Sequence, residues 1–120
     1  MKKLDATWRI FGMYLLIIIF MLMAGTSFGQ ITVKHFNADW NKNNGVDWIL
    51  DLKDCDTKGY IDIGKDVESQ KIYKISVIPT IIIFKDGEEV ARFQADLSFK
   101  MVATKEEVQE EINEQLMSDF

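Results

Sequence analysis

The chain has 120 residues, 48% of them hydrophobic, and a formal net charge of −5; that length allows one small domain plus a terminal segment. From residue 30 onward, eleven Lys/Arg face eighteen Asp/Glu, which argues against nucleic acid or anionic lipid as a partner of this part. The single cysteine, Cys55, excludes an internal disulfide.

Residues 1–29 read as a targeting segment. Lys2, Lys3 and Arg9 form a basic head, residues 10–24 an apolar run, and Ser27-Phe28-Gly29 a small-residue exit. Two outcomes are open. Cleavage after Gly29 would leave Gln30 as the first mature residue. Alternatively, residues 10–28 stay as a single-pass membrane anchor. In either case the basic side remains cytoplasmic and residues 30–120 are exported. The predicted location is the periplasm or the outer face of the inner membrane. In an oxidising compartment a lone cysteine is either inert or a reactive thiol.

Residues 31–36 alternate and predict a central strand. Residues 41–45 are a polar loop. Asn44 is a predicted N-cap for a short amphipathic helix reaching Lys53, with Val46, Ile49, Leu50 and Leu52 inward and Trp48 alongside. After a connector over 54–59, residues 60–63 predict a second strand. A second helix is expected over 66–74, with Val67, Ile72 and Tyr73 inward. It ends before Pro79, as the restriction on residues preceding proline requires.

Ile81 to Phe84 are apolar without alternation, which suits a strand buried on both faces. Pro79 cannot donate to a ladder and belongs at the start of that strand. Asp86-Gly87 can adopt the positive-φ pair of a type I′ turn, so residues 88–94 should return antiparallel. A link over 94–103 carries Phe99, Met101 and Val102, which with Phe93 form either a lid over the sheet or a partner surface. Thr104-Lys105-Glu106-Glu107 has the form of a capping box, opening a C-terminal helix with Val108, Ile112 and Leu116 in one row.

The string Val77-Ile78-Pro79-Thr80-Ile81-Ile82-Ile83-Phe84-Lys85-Asp86-Gly87 resembles a segment of the thioredoxin family. In that family the proline is cis, and the carbonyl and amide before it face the active site. The order β-α-β-α-β-β-α resembles a minimal thioredoxin-like α/β fold: a four-stranded mixed sheet with helices on both faces, here preceded by the hydrophobic segment. The resemblance covers roughly residues 31–116 and lacks the extra N-terminal strand and helix of a full thioredoxin. His35-Phe36-Asn37-Ala38-Asp39-Trp40-Asn41-Lys42-Asn43-Asn44 aligns with the family's active-site string. Asn41 and Asn44 stand where the two cysteines of CxxC would be. His35 replaces the buried acid, and Tyr60 its lysine partner. Dithiol exchange needs a thiolate and a resolving thiol, and an amide supplies neither.

The resemblance implies a groove lined by Trp40, Asn41, Asn44, Ile78, Pro79 and Thr80, where a protein or extended peptide would dock by backbone pairing. His35 and Tyr60 are expected to form a buried polar pair beneath it. A general-base role for His35, facing Asn41 and Pro79, is the weaker reading, because buried polar groups are usually satisfied structural ones. Trp40 and Trp48 are expected to pack as core or rim residues. Cys55 has no predicted activating neighbour, and Asp54 and Asp56 should raise its pKa. No cofactor or metal is expected. Three functions compete: a non-catalytic binding or scaffold module of the cell envelope, a monothiol redox protein acting through Cys55, and a subunit of an envelope assembly.

Overall fold

In the computed structural model, which describes residues 29–118, strand β1 spans Ile31–Asn37, β2 Thr57–Asp62, β3 Thr80–Lys85 and β4 Glu88–Gln94. The predicted leader and anchor lie outside the described residues, apart from Gly29. The sheet order is β2-β1-β3-β4, with β1 parallel to β2 and antiparallel to β3, and β3 antiparallel to β4. This is the mixed four-stranded sheet expected of the thioredoxin-like fold, with β1 and β3 central.

The hairpin forms as its turn chemistry dictates. Asp86 and Gly87 have φ of 52° and 86°, the positive pair of a two-residue turn matched to strand twist. Β3 is buried along Thr80–Phe84. Ile81 and Ile83 point to one face with Ile31, Val33, Ile49, Val108 and Ile112. Ile82 and Phe84 point to the other with Phe36, Ile75 and Ile78. An apolar run without alternation is what two covered faces require. The Ile78-Pro79 bond is cis.

Two helices follow prediction in kind. Helix α1, Val67–Ile72, is capped by Asp66, whose carboxylate accepts the Ser69 N–H at 3.1 Å. Helix α2, Lys105–Met117, is capped by Thr104, whose Oγ1 accepts the Glu107 N–H at 3.2 Å. Val108 and Ile112 bury against the sheet, and Leu116 packs beside them.

Several local expectations are corrected. The amphipathic helix over 46–53 is absent. A 3₁₀ segment, Asp47–Asp51, takes its place, and a second, Asp39–Asn44, forms where the polar loop was expected, the two separated by extended Gly45 and Val46. Asn44 caps nothing; its side chain bonds Asn41, and such local side-chain bonding competes with helix propagation. Val46, Ile49 and Leu52 are buried as predicted, but Leu50 turns outward. Strand β2 begins three residues before the predicted start. In α1, Val67 and Ile72 are exposed, because the sheet face beside this short helix is already filled by Phe36, Ile75, Ile78, Ile82 and Phe84. Only Tyr73, just past its end, packs inward, its ring 5.3 Å from Phe36 and 5.6 Å from Phe84.

The link after β4 is a small turn. Asp96 accepts the backbone N–H groups of Ser98 and Lys100, and Ala95 bridges Met101. Phe93 and Met101 pack on the core, whereas Phe99 is half-exposed and Leu97 and Val102 are exposed.

Candidate functional site

Three asparagines meet where β1 runs into the first 3₁₀ segment: Asn37, and the Asn41 and Asn44 that the resemblance placed at the dithiol positions. Asn37, at the end of β1, is 1% exposed, and Asn41, in the first 3₁₀ segment, is 4% exposed. The two residues are joined twice: Asn37 Nδ2 donates to the Asn41 backbone carbonyl at 3.2 Å, and Asn41 Nδ2 donates to Asn37 Oδ1 at 3.1 Å. Asn41 Nδ2 also donates to the Phe99 carbonyl at 3.2 Å, and Asn44 Nδ2 donates to Asn41 Oδ1 at 2.9 Å. The network ties β1, the 3₁₀ segment and the Phe99 turn together. No buried side-chain N or O among the described residues is left unpaired, as buried polar groups require. Asn37 was not singled out from the sequence. Its place at the end of a strand hides it from helical spacing; only the run of asparagines at 37, 41, 43 and 44 in the sequence could have drawn attention to it.

Beside this network lies an open groove of about 340 Å³. Trp40 and Phe99 form one wall, their rings edge to face with centroids 5.2 Å apart. Ser76, Val77 and Ile78 form the other, with Ala38 and Ile63 between. Ile78 lies between α1 and β3 and takes part in no backbone hydrogen bond among the described residues.

Of the six residues assigned to the groove by resemblance, Trp40 and Ile78 line it. Asn41 lies buried behind it and Asn44 is held by Asn41. Pro79 and Thr80 are buried, with Thr80 Oγ1 donating to the Val77 carbonyl at 2.6 Å, so they shape the wall without facing the opening. Trp40 is not a core residue: it is 69% exposed. Trp48 does pack against the core.

His35 and Tyr60 meet, but not as a buried pair. They are register partners on β1 and β2, and their rings touch edge to face at 5.3 Å and 73°. His35 is buried, whereas Tyr60 is 55% exposed, since β2 is the sheet edge. The Val46 N–H donates to His35 Nε2 at 3.4 Å, which requires that nitrogen to be unprotonated. Burial pushes the imidazole pKa down to about 4, because a charged ring would lose its hydration. Burial, then the charges of Asp62 and Asp39, push the Tyr60 hydroxyl up. His35 shares no hydrogen bond with Asn41. It borders a second, larger groove of about 540 Å³ with Val46, Ile49, Leu50, Lys58 and Tyr60. The arrangement that a general base facing Asn41 and Pro79 would need is therefore not formed.

Cys55 lies half-buried, its thiol donating to the Leu52 carbonyl at 3.7 Å. Burial pushes its pKa up, and Asp54 and Asp56 add to the rise. The expectation of no activating neighbour is corrected, since Lys58 pulls the other way without prevailing. Among the described residues no three His, Cys, Asp or Glu side chains are grouped to hold a metal ion.

No family profile matches the chain. A stretch of 36 residues is 50% identical to a thioredoxin of Chlamydia pneumoniae, covering 30% of this chain and 35% of that protein. The matched part thus spans about a third of the length of that curated relative. Among solved structures, a mutant thioredoxin from Halobacterium salinarum superposes with a TM-score of 0.57 at 17% identity, over 72% of this chain and 75% of that one. A thioredoxin from Nicotiana alata gives 0.55 at 20% identity, over 80% and 84%. Sheet order, the cis Ile78-Pro79 approach to β3 and these likenesses agree: the chain has a thioredoxin-like fold.

Proposed function

We propose that this chain is an exported, non-catalytic binding module of the cell envelope that holds an extended peptide or protein segment in the groove beside Ile78. The observation that carries this reading is the contrast between two neighbouring places. The aligned dithiol positions are closed by a satisfied amide network, while the adjoining groove stays open, with an exposed Trp40 on one side and an unengaged Ile78 backbone on the other. An extended peptide could pair with that backbone and lay a side chain against Trp40 and Phe99. The basic head and apolar run of residues 2–28 support export, with either a cleaved leader or a retained anchor.

The test is a titration of the full chain with an array of extended peptides, read by Trp40 fluorescence and by hydrogen exchange at Ile78. Saturable binding and protection of the Ile78 amide are the expected results, with that protection lost on Trp40→Ala. Protection confined to the His35 groove, or no saturable binding, would defeat the reading.

One observation favours the assembly-subunit reading as a companion. Leu97 and Val102 are strongly exposed on the turn that also carries Phe99, giving a partner protein an apolar foothold beside the groove. The monothiol reading is the weakest, since Cys55 has a raised pKa and its thiol is engaged by a backbone carbonyl.

A further inference from the structure

The two edges of the sheet are built differently. On β4, Phe84 faces Glu89 and Ile83 faces Ala91, so Val90 is an extra, unpaired residue. That bulge, with the charges of Glu88, Glu89 and Arg92, is the usual protection of an edge against pairing. Β2 has neither a bulge nor a proline, and its register with β1 is unbroken from Thr57 to Asp62. Its one lysine is folded away: Lys58 Nζ donates to the carbonyls of Leu50 and Leu52, at 3.0 and 2.8 Å.

The backbone direction of β2 follows from its end. The Ile63 N–H donates to the Asn37 carbonyl at 2.9 Å. Ile63 and, by alternation, Ile61 and Gly59 therefore aim their polar groups at β1, while Lys58, Tyr60 and Asp62 aim theirs away from the sheet. The Asp62 carbonyl is taken by the Lys65 and Asp66 N–H groups. No turn, loop or side-chain hydrogen bond among the described residues uses the outward backbone groups of Lys58 and Tyr60.

We infer that this edge is a self-association surface, on which β2 pairs antiparallel with β2 of a second copy about a twofold axis at Tyr60. Charge selects the register. With Tyr60 opposite Tyr60, Lys58 of each copy lies opposite Asp62 of the other, and its ammonium, turning from the Leu50 and Leu52 carbonyls, makes an opposite-charge cross-strand pair twice. Sliding by two residues in either direction removes both of these pairs. In the chosen register the two Tyr60 residues exchange N–H···O bonds, and each Asp62 N–H meets the Lys58 carbonyl opposite. Gly59 then faces Ile61 of the second copy, and the space where a Gly59 side chain would lie is open. The half-buried Ile61 can use that space. Tyr60 and Leu50, both exposed and apolar, border the groove next to this edge, and a second copy would shield that rim. Such an interface is isologous and closed, so it ends at a dimer.

The experiment measures the protein mass of the full chain in detergent micelles by sedimentation across a concentration series. A dimer is expected. Tyr60→Pro removes the outward N–H from an edge position where proline is tolerated, and should give a folded monomer. A dimer that persists in Tyr60→Pro would place the association elsewhere and overturn the inference, as would a parent that is monomeric throughout. Charge exchange keeps the test independent of that variant's folding. Lys58→Glu alone and Asp62→Lys alone each put like charges together and should be monomeric. Mixed in equal amounts, they restore both opposite-charge pairs and should form a heterodimer. Failure of the mixture to associate, or dimers of either single variant as tight as the parent, would refute this register.

Discussion

Replacing His35 by leucine should turn an acid-sensitive fold into one that is less stable at neutral pH and flatter below it. The folded imidazole has a pKa of about 4 against an ordinary value of 6.5. Because the folded value is the lower one, the unfolded chain takes up a proton first as pH falls. The contribution of the neutral ring is therefore fully present above pH 6.5 and is lost between there and pH 4. Linkage puts the loss at about 2 kcal/mol at pH 5 and about 3 kcal/mol at pH 4, a large fraction of the ~5–15 kcal/mol typical of a domain. His35→Leu abolishes this term but strands the Val46 N–H, which now donates to His35 Nε2; an unpaired buried donor costs about 1–3 kcal/mol at any pH. The parent should then be more stable at pH 8, and the difference should shrink by about 3 kcal/mol by pH 4. The carboxylates of Asp66, Glu89 and Asp96 are held below their usual range by Ser69, Arg92 and Ser98 respectively. Their contributions fade at lower pH and largely cancel in the comparison. Urea unfolding of both chains from pH 8 to pH 4, with NMR titration of the His35 ring, decides the matter. A difference that stays constant with pH, or a ring titrating near 6.5, would refute the reasoning.

The unmodified chain should fail to reduce insulin, having no resolving thiol, whereas Asn41→Cys with Asn44→Cys should form a reducible disulfide, because those two side chains already meet at 2.9 Å; insulin turbidity from the parent at a thioredoxin-like rate would be decisive against the first claim. Ile82→Asp should abolish cooperative unfolding, since an unpaired charge in a fully buried position costs several kcal/mol; a melt near the parental temperature would contradict the burial of β3. Asn41→Ala should lower stability by about 1–3 kcal/mol by leaving the Asn37 and Asn44 amides and the Phe99 carbonyl short of partners, measurable by denaturant midpoint. Cys55 should alkylate more slowly than a free thiol at pH 7.5, and faster labelling would revive a redox role.

What the sequence determined by itself are the features whose physics is local. The Asp86-Gly87 turn, the Thr104 cap, the start of β3 after Pro79 and the two-faced burial of Ile81 to Phe84 are all set within a few residues. Their conformations follow from φ preferences, capping groups and side-chain period. Tertiary structure decided whatever depends on which surface is already occupied. Val67, Ile72 and Leu50 carry the right chemistry for burial yet are exposed, because other side chains fill the sheet faces they would have covered. Tyr60 pairs with a buried histidine yet stays exposed, because nothing beyond β2 extends the sheet among the described residues. Over 46–53 the expected helix gives way to a short 3₁₀ segment, Asp47–Asp51, between extended Val46 and Leu52, while Asn41, held by Asn37 and by the Phe99 carbonyl 58 residues on, anchors the preceding 3₁₀ segment. Intrinsic propensity is worth only tenths of a kcal/mol per residue, so the burial of Val46, Ile49 and Leu52 in the core is enough to overrule it.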